Sequence, residues 1–203
     1  MTFYIVLATI LVSVISFRRN DMLSRLLFNP YLVRTRNEWY RFFSSGFVHA
    51  DWIHLFINML VLYDFGQAVE IYYNDVSGYK SVLIFPALYF GGIFVSIIPT
   101  YFKYRNNPAY NALGASGAVS AVVFAYILFN PMNKICLYGL LCIPGILMGP
   151  LYLAFSIYME KKAKDNINHG AHFWGAVFGL VFTVAVKPSV LHAFAASLST
   201  YLR

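Results

Sequence analysis

Ser116 and His172 are the residues of this chain best suited to covalent chemistry. Each stands near the start of an apolar segment, within the runs Asn111-Ala112-Leu113-Gly114-Ala115-Ser116-Gly117 and Gly170-Ala171-His172. A serine hydroxyl is a poor nucleophile until a base takes its proton, and an imidazole, which titrates near neutral pH, can be that base. The chemistry open to such a pair is acyl transfer, which also needs donors aimed at the developing oxyanion. His54 and Asn58 lie four residues apart in Trp52-Ile53-His54-Leu55-Phe56-Ile57-Asn58, on one helix face. Together with the Ser116 backbone N–H, close to the positive end of a helix dipole, they are candidate donors. No acidic residue adjoins Ser116 or His172 in sequence, so a dyad fits better than a triad, with a distant carboxylate left open.

Something must bring these residues to one place, and composition says what kind of element does it. Hydrophobic residues make up 60% of the 203-residue chain and charged residues 11%. A soluble domain carries about 25% charged residues. A water-soluble protein of this size could not bury so much apolar surface, so the solvent is lipid. The net charge of +7 then belongs to loops near lipid headgroups, and nucleic acid is not an expected partner. Hydropathy predicts spans at 2–17, 52–73, 81–101, 111–129, 135–158 and 170–187, each near the roughly 20 residues a bilayer crossing needs. The first lacks the basic start and small-residue cleavage site of a signal peptide and reads as a retained helix. Segment 18–51 carries Trp39, Tyr40, Phe42, Phe43 and Phe47, which suit the membrane interface. Segment 188–203 has Leu191, Phe194, Leu198 and Leu202 at helical spacing and reads as a short interfacial helix. Cys136 and Cys142 read as buried free thiols.

Six crossings make the second, fourth and sixth spans begin at one membrane face. His54, Asn58, Ser116 and His172 are then at comparable depth, with Ser116 about one and a half turns into its span. Gly117, Ala121 and Ala125 repeat every fourth residue in the fourth span, and Ala171, Gly175 and Gly179 do so in the sixth. Small-residue stripes let helix backbones approach closely in lipid, and packing these two would carry the serine toward the histidine.

These motifs resemble the rhomboid family. Gly114-Ala115-Ser116-Gly117 looks like its GxSG motif, and His49, His54 and Asn58 like its HxxxxHxxxN pattern. Residues 171–179, Ala-His-Phe-Trp-Gly-Ala-Val-Phe-Gly, look like its AHxxGxxxG sixth helix. Trp39-Tyr40-Arg41 resembles the aromatic-Arg motif of its first loop, and Glu70 stands where the family has a glutamate. The resemblance covers residues 1–187 and implies an all-α, six-transmembrane-helix bundle forming one protease domain, with 188–203 as a tail. It implies Ser116 as nucleophile, His172 as general base, and His54 and Asn58 as oxyanion donors. His49, Arg41, Glu70, Gly114, Gly175 and Gly179 would be structural supports. The implied partners are transmembrane protein substrates and membrane lipids, with no cofactor and no metal. Loop 160–169 would cap the site and the fifth span would shift to admit a substrate helix. One departure stands out: many members stack an aromatic, four residues after the serine, on the catalytic histidine, and here that position is Ser120. Trp174, His169 or an aromatic from a neighbouring helix would then have to orient His172.

Other polar residues receive plainer readings. Ser120 is expected to pack with its hydroxyl on its own helix backbone, and His169 to be a solvated loop residue. Glu70 is expected to hold a loop, and Asp64 has no assigned role. A metal site of His49, His54, His169 and His172 lacks the HExxH spacing. A non-catalytic relative that only binds transmembrane clients is the alternative that loss of Ser116 or His172 would have favoured. Orientation divides two arguments. Most basic residues, including Arg18, Arg19, Arg41, Lys161, Lys162 and Lys164, flank the face holding Ser116, which the positive-inside rule places in the cytoplasm. The resemblance implies that this face is usually outside, and the expectation agrees with the family because segment 18–51 reads as folded into the interface and Arg41 as structural.

Overall fold

The computed structural model of the chain describes residues 1–77, 81–137, 141–162 and 167–201. Helix α1 (Thr2–Phe17) is followed by three short helices, α2 (Asn20–Leu26), α3 (Pro30–Arg36) and α4 (Arg41–Ser44), and a 3₁₀ turn over Ser45–Phe47. Helices α5 (Trp52–Ser77), α6 (Ser81–Tyr104) and α7 (Ser116–Phe129) come next. A two-stranded hairpin, β1 (Lys134–Leu137) and β2 (Leu141–Pro144), leads to α8 (Gly145–Lys162), α9 (His169–Val186) and α10 (Val190–Tyr201). By length and composition the stretches Trp52–Asn74, Val82–Tyr104 and His169–Val186 can cross a membrane, and α1 and α7 are shorter apolar helices.

α7 is the centre. Gly117 to Val122 are all buried in its first two turns, and Phe124, Ala125, Ile127 and Leu128 are buried beyond them. Its neighbours α5, α6 and α9 pack round it. With 14 residues α7 extends about 21 Å, short of a hydrocarbon core of roughly 30 Å. The missing length belongs to residues 111–115, which the hydropathy pattern includes in the span. They are not helical. The Ala112 and Phe28 backbones pair as an isolated antiparallel bridge, and Gly114 has φ +112°, a conformation the helix excludes and glycine alone adopts freely. Ser116 is therefore the first residue of α7 rather than one and a half turns inside it.

The stretch 135–158 is not one span. Its first part is the β-hairpin, with Cys136 directly opposite Cys142 in register. Pro144 keeps the preceding residue out of the helical region, and α8 begins immediately after it. The hairpin makes the fold not wholly helical. It also corrects the reading of the cysteines, which are joined by a disulfide across the hairpin rather than buried as free thiols.

Segment 18–51 folds back on α6. Phe42 meets Phe94 and Tyr101 at ring distances of 5.0 and 5.6 Å, and Phe43 stacks on Phe94 at 5.7 Å. α3 is started by Asn29, whose side chain accepts from the Leu32 N–H, and by Pro30 at its first position. The tail segment holds α10; Leu202 and Arg203, like Lys80, lie outside the described residues.

Candidate active site

The loop before Ser116 is held from two sides. Gly114 N–H donates to Ser45 O at 2.9 Å, and Ala115 N–H to His49 Nε2 at 3.4 Å. A side chain on Gly114 would collide with the His54 ring, 2.7 Å from its Cε1 and 2.9 Å from its Nε2. His54 thus lies directly against the peptide two residues before the serine. Because Ser116 opens α7, its N–H belongs to the first turn, which has no intrahelical acceptors.

The two histidines of the 49–54 stretch divide their nitrogens differently. His49 is fully buried; its Nε2 accepts from Ala115, so Nδ1 carries the proton and donates to Ser13 Oγ at 3.0 Å. The Ser13 hydroxyl in turn donates to Phe47 O at 2.9 Å. Burial, with the neighbouring His54 adding to it, pushes His49 down to about 3. The ring is therefore neutral across the physiological range. His54 meets the His49 ring edge-on at 4.9 Å. Its Nδ1 takes the Ala50 N–H at 3.5 Å, which leaves Nε2–H, the atom lying on Gly114, as donor. Asn58 is buried one turn below; its amide donates to His54 O at 2.9 Å and has a second N–H to give.

The lowered value at His49 has a pH consequence. Below about pH 6.5 the unfolded chain protonates this ring and the folded one does not, so stability is full above that pH and lost as pH falls toward 3. The expected slope is at most about 1.4 kcal/mol per pH unit from this group. Thermal unfolding in detergent from pH 7.5 to 5 should show the fall, and His49→Asn should flatten it. An unchanged slope in that variant would reject the assignment.

α9 is placed by its own cap. Asn168, before the first turn, accepts the Ala171 N–H at 3.0 Å and donates to Thr100 on α6 at 2.9 Å. This sets His172 in the first turn, and α9 then lies on α7 with almost no space between backbones. A Cβ on Gly175 would come within 2.9 Å of Gly117 Cα, and one on Gly179 within 2.7 Å of Ala121 Cα. A Cβ on Gly117 would meet Ala171 O at 3.3 Å. Ser116 and His172 are the chain neighbours of that Gly117–Ala171 contact. Ser116, Gly114, Ser45, Ser96, Asn168 and Ala171 line a cavity of about 20 Å³, room for about one water.

The site residues read from sequence do not all converge. His49, His54, Gly114 and the chain on either side of Ser116 form one contact set, and Gly175 and Gly179 form the α7–α9 seam. Arg41 is buried elsewhere, in segment 18–51, donating to Glu38 at 2.5 Å and to the Ser24 and Leu27 carbonyls at 3.0 and 2.7 Å. Those carbonyls lie at the end of α2, where acceptors lack helical partners. Glu70 lies toward the other end of α5 and holds a helix start instead of a loop, accepting from Thr2 N–H at 3.1 Å and Thr2 Oγ1 at 2.9 Å. Asp64 is exposed on α5.

Two polar readings are corrected. His169 is buried, not solvated, because it begins α9 and its ring packs on Phe155 at 5.8 Å and on His172 at 5.7 Å. Ser120 does not bond its own backbone, because the hydroxyl of Tyr152 on α8 lies 2.7 Å from it. Tyr152 also stacks on His172, with centroids 6.2 Å apart and planes at 16°. Trp174 is exposed and packs on Phe173. Residues 163–166 of the expected capping loop, Lys164 among them, lie outside the described residues. Sequence reasoning missed Asn168, Ser13 and Tyr152. An asparagine before an apolar run is a cap signal, and a serine within an apolar span was a signal for Ser13. Tyr152 carried none, being one aromatic among many.

A family model for the rhomboid domain matches residues 36–189. Among curated proteins the chain is 27% identical over 166 residues to rhomboid-like protein 11, chloroplastic, of Arabidopsis thaliana, covering 74% of this chain and 54% of that one. It is 26% identical over 154 residues to RHOMBOID-like protein 12, mitochondrial, of the same plant, covering 71% and 45%. It is 21% identical over 180 residues to the rhomboid protease AarA of Providencia stuartii, covering 77% and 59%. The chain spans about half the length of these relatives.

Proposed function

The chain belongs to the rhomboid family, and from that membership we propose that it is a multi-pass intramembrane serine endopeptidase cutting transmembrane-helix substrates. α1 and α5 to α9 are its six crossings. Ser116 Oγ attacks the scissile carbonyl carbon while His172 takes its proton. The tetrahedral oxyanion is met by the Ser116 N–H at the start of α7, by His54 Nε2–H and by the spare Asn58 N–H. As the C–N bond breaks, His172 returns the proton to the leaving amine. A water then repeats the sequence on the acyl-serine, releasing the new carboxylate and restoring Ser116.

The observation that most supports this reading is the backbone contact of Gly117 with Ala171 and Gly175, because Ser116 and His172 are the chain neighbours of Gly117 and Ala171. The test is covalent labelling by a fluorophosphonate probe, with uptake expected in the wild type and none in Ser116→Ala. A second reading has one observation in its favour: two of the relatives carry the name rhomboid-like rather than protease. A chain that binds transmembrane clients without cutting would show capture of a model substrate and neither probe uptake nor product.

The donors make a separate prediction. Loss of one oxyanion donor costs about 10²- to 10³-fold in kcat. His54→Ala and Asn58→Ala should each lower turnover by at most that much, because each leaves the other in place, and the double variant should lose more. Turnover of the double variant equal to wild type would remove both residues from the mechanism.

A further inference from the structure

The cap at Asn168 fixes the His172 backbone, yet two side-chain torsions still decide where its ring points. α8 supplies the surface it meets. The helices α8 and α9 run antiparallel, with two ring pairs in register. Tyr152 lies across His172 at 6.2 Å and 16°, and three residues further along α8 Phe155 meets His169 at 5.8 Å and 85°. His169 also meets His172, edge-on at 5.7 Å and 74°. Tyr152 is itself held at its far end, by the 2.7 Å hydrogen bond between its hydroxyl and Ser120 Oγ, and its ring leans on Phe124 at 5.7 Å. Ser120 is buried one turn beyond Ser116 on α7. A small residue at 120 leaves the space in which a tyrosine from α8 reaches the imidazole.

We propose that Tyr152 is the positioning residue of His172: anchored by Ser120 on the helix of the serine, its ring confines the imidazole to the orientation in which it accepts the Ser116 proton. The chain of dependence runs from α7 through Ser120 to α8, and from Tyr152 to the base on α9. α8 must therefore be seated against α7 for the base to be aligned, and the Ser120–Tyr152 bond is the contact that registers the seating. This inference rests on the protease reading.

The test compares Tyr152→Leu, Tyr152→Phe and the double variant Tyr152→Leu/Ser120→Phe, each in the full chain. Tyr152→Leu should lose about 10²-fold in kcat, the scale on which misplacing a reacting group by an ångström acts, while KM stays nearly constant. Tyr152→Phe keeps the ring and should lose far less. In the double variant an aromatic supplied from α7 should recover most of the loss. A readout independent of turnover is the His172 ring-proton chemical shift, which should lose its ring-current displacement in Tyr152→Leu and keep it in Tyr152→Phe. Should Tyr152→Leu not fold, Tyr152→Phe and Tyr152→Met carry the same comparison of ring kept against ring lost. Wild-type kcat in a folded ring-less variant, or an unmoved His172 signal, overturns the positioning role and leaves the protease reading standing. A wild type that neither cleaves nor takes up fluorophosphonate overturns both.

Discussion

Ser116→Ala and His172→Ala should each abolish cleavage of a model transmembrane substrate. The expected loss in kcat is on the order of 10⁶-fold, the scale on which removing one member of a nucleophile–base unit acts. The double variant should be little worse than either single one, since neither residue accelerates the reaction without the other. Stability should hardly move. Ser116 occupies the first position of α7, where alanine is tolerated, and a methyl group at 172 leaves the Gly175 and Gly179 contacts intact. Cleavage measured in proteoliposomes beside thermal unfolding in detergent separates the two quantities. Residual turnover above about 10⁻³ of wild type in Ser116→Ala would point to another nucleophile. A wild type with no turnover would leave the client-binding reading.

The second large effect is expected at Gly175, through packing. A Cβ there has no place to go: it would meet the Gly117 carbonyl and come within 2.9 Å of Gly117 Cα, and both are backbone atoms inside a buried helix. The helices must separate, or one must shift along the other. Overpacking of a tight core commonly costs about 1–3 kcal/mol, occasionally more. Gly175→Ala should lower the unfolding midpoint, and Gly175→Leu should prevent folding or leave α9 displaced. Activity should fall with stability in the alanine variant, and faster than stability does, because the Ser116–His172 spacing depends on the same seam. Gly179→Ala should behave alike, against Ala121. The control is Gly149→Ala on α8, where the nearest atom to a new Cβ is Phe124 Cε1 at 3.5 Å, an ordinary contact. Equal midpoints for Gly175→Ala and Gly149→Ala would show that α7 and α9 have room between their backbones for a methyl group.

Hydropathy and small-residue spacing are local properties, and the features that depend on them alone were legible in the chain. The expectation of a helix over 2–17 coincides with Thr2–Phe17, and that over 170–187 with His169–Val186 to within a residue at each end. Lipid leaves an apolar segment no way to satisfy its backbone except by hydrogen-bonding to itself. The stripes of Gly117 and Ala121, and of Gly175 and Gly179, meet because close backbone packing is what small residues permit in that solvent. Family membership was legible too, in motifs spread along the chain in order.

Other features depended on partners distant in sequence, and only the tertiary structure decided them. Residues 111–115 are apolar enough to continue a helix, yet the Phe28 backbone, brought over from segment 18–51, pairs with Ala112, and Gly114 takes a positive φ, so the helix begins only at Ser116. The hairpin at 134–144 depends on two short strands meeting, which hydropathy cannot distinguish from the start of a span. His169 looked like part of a polar loop because composition reports neighbours along the chain, whereas its burial comes from Phe155 on another helix. Ser120 lacks the aromatic ring that would have marked its position, and the ring it accommodates belongs to Tyr152 on α8, across a helix interface. Sequence therefore determined helices such as those at 2–17 and 170–187 and the small-residue faces on which two of the helices pack. Which side chains meet across them came from the rotation and register of the packed helices, and those are set by every contact in the bundle at once.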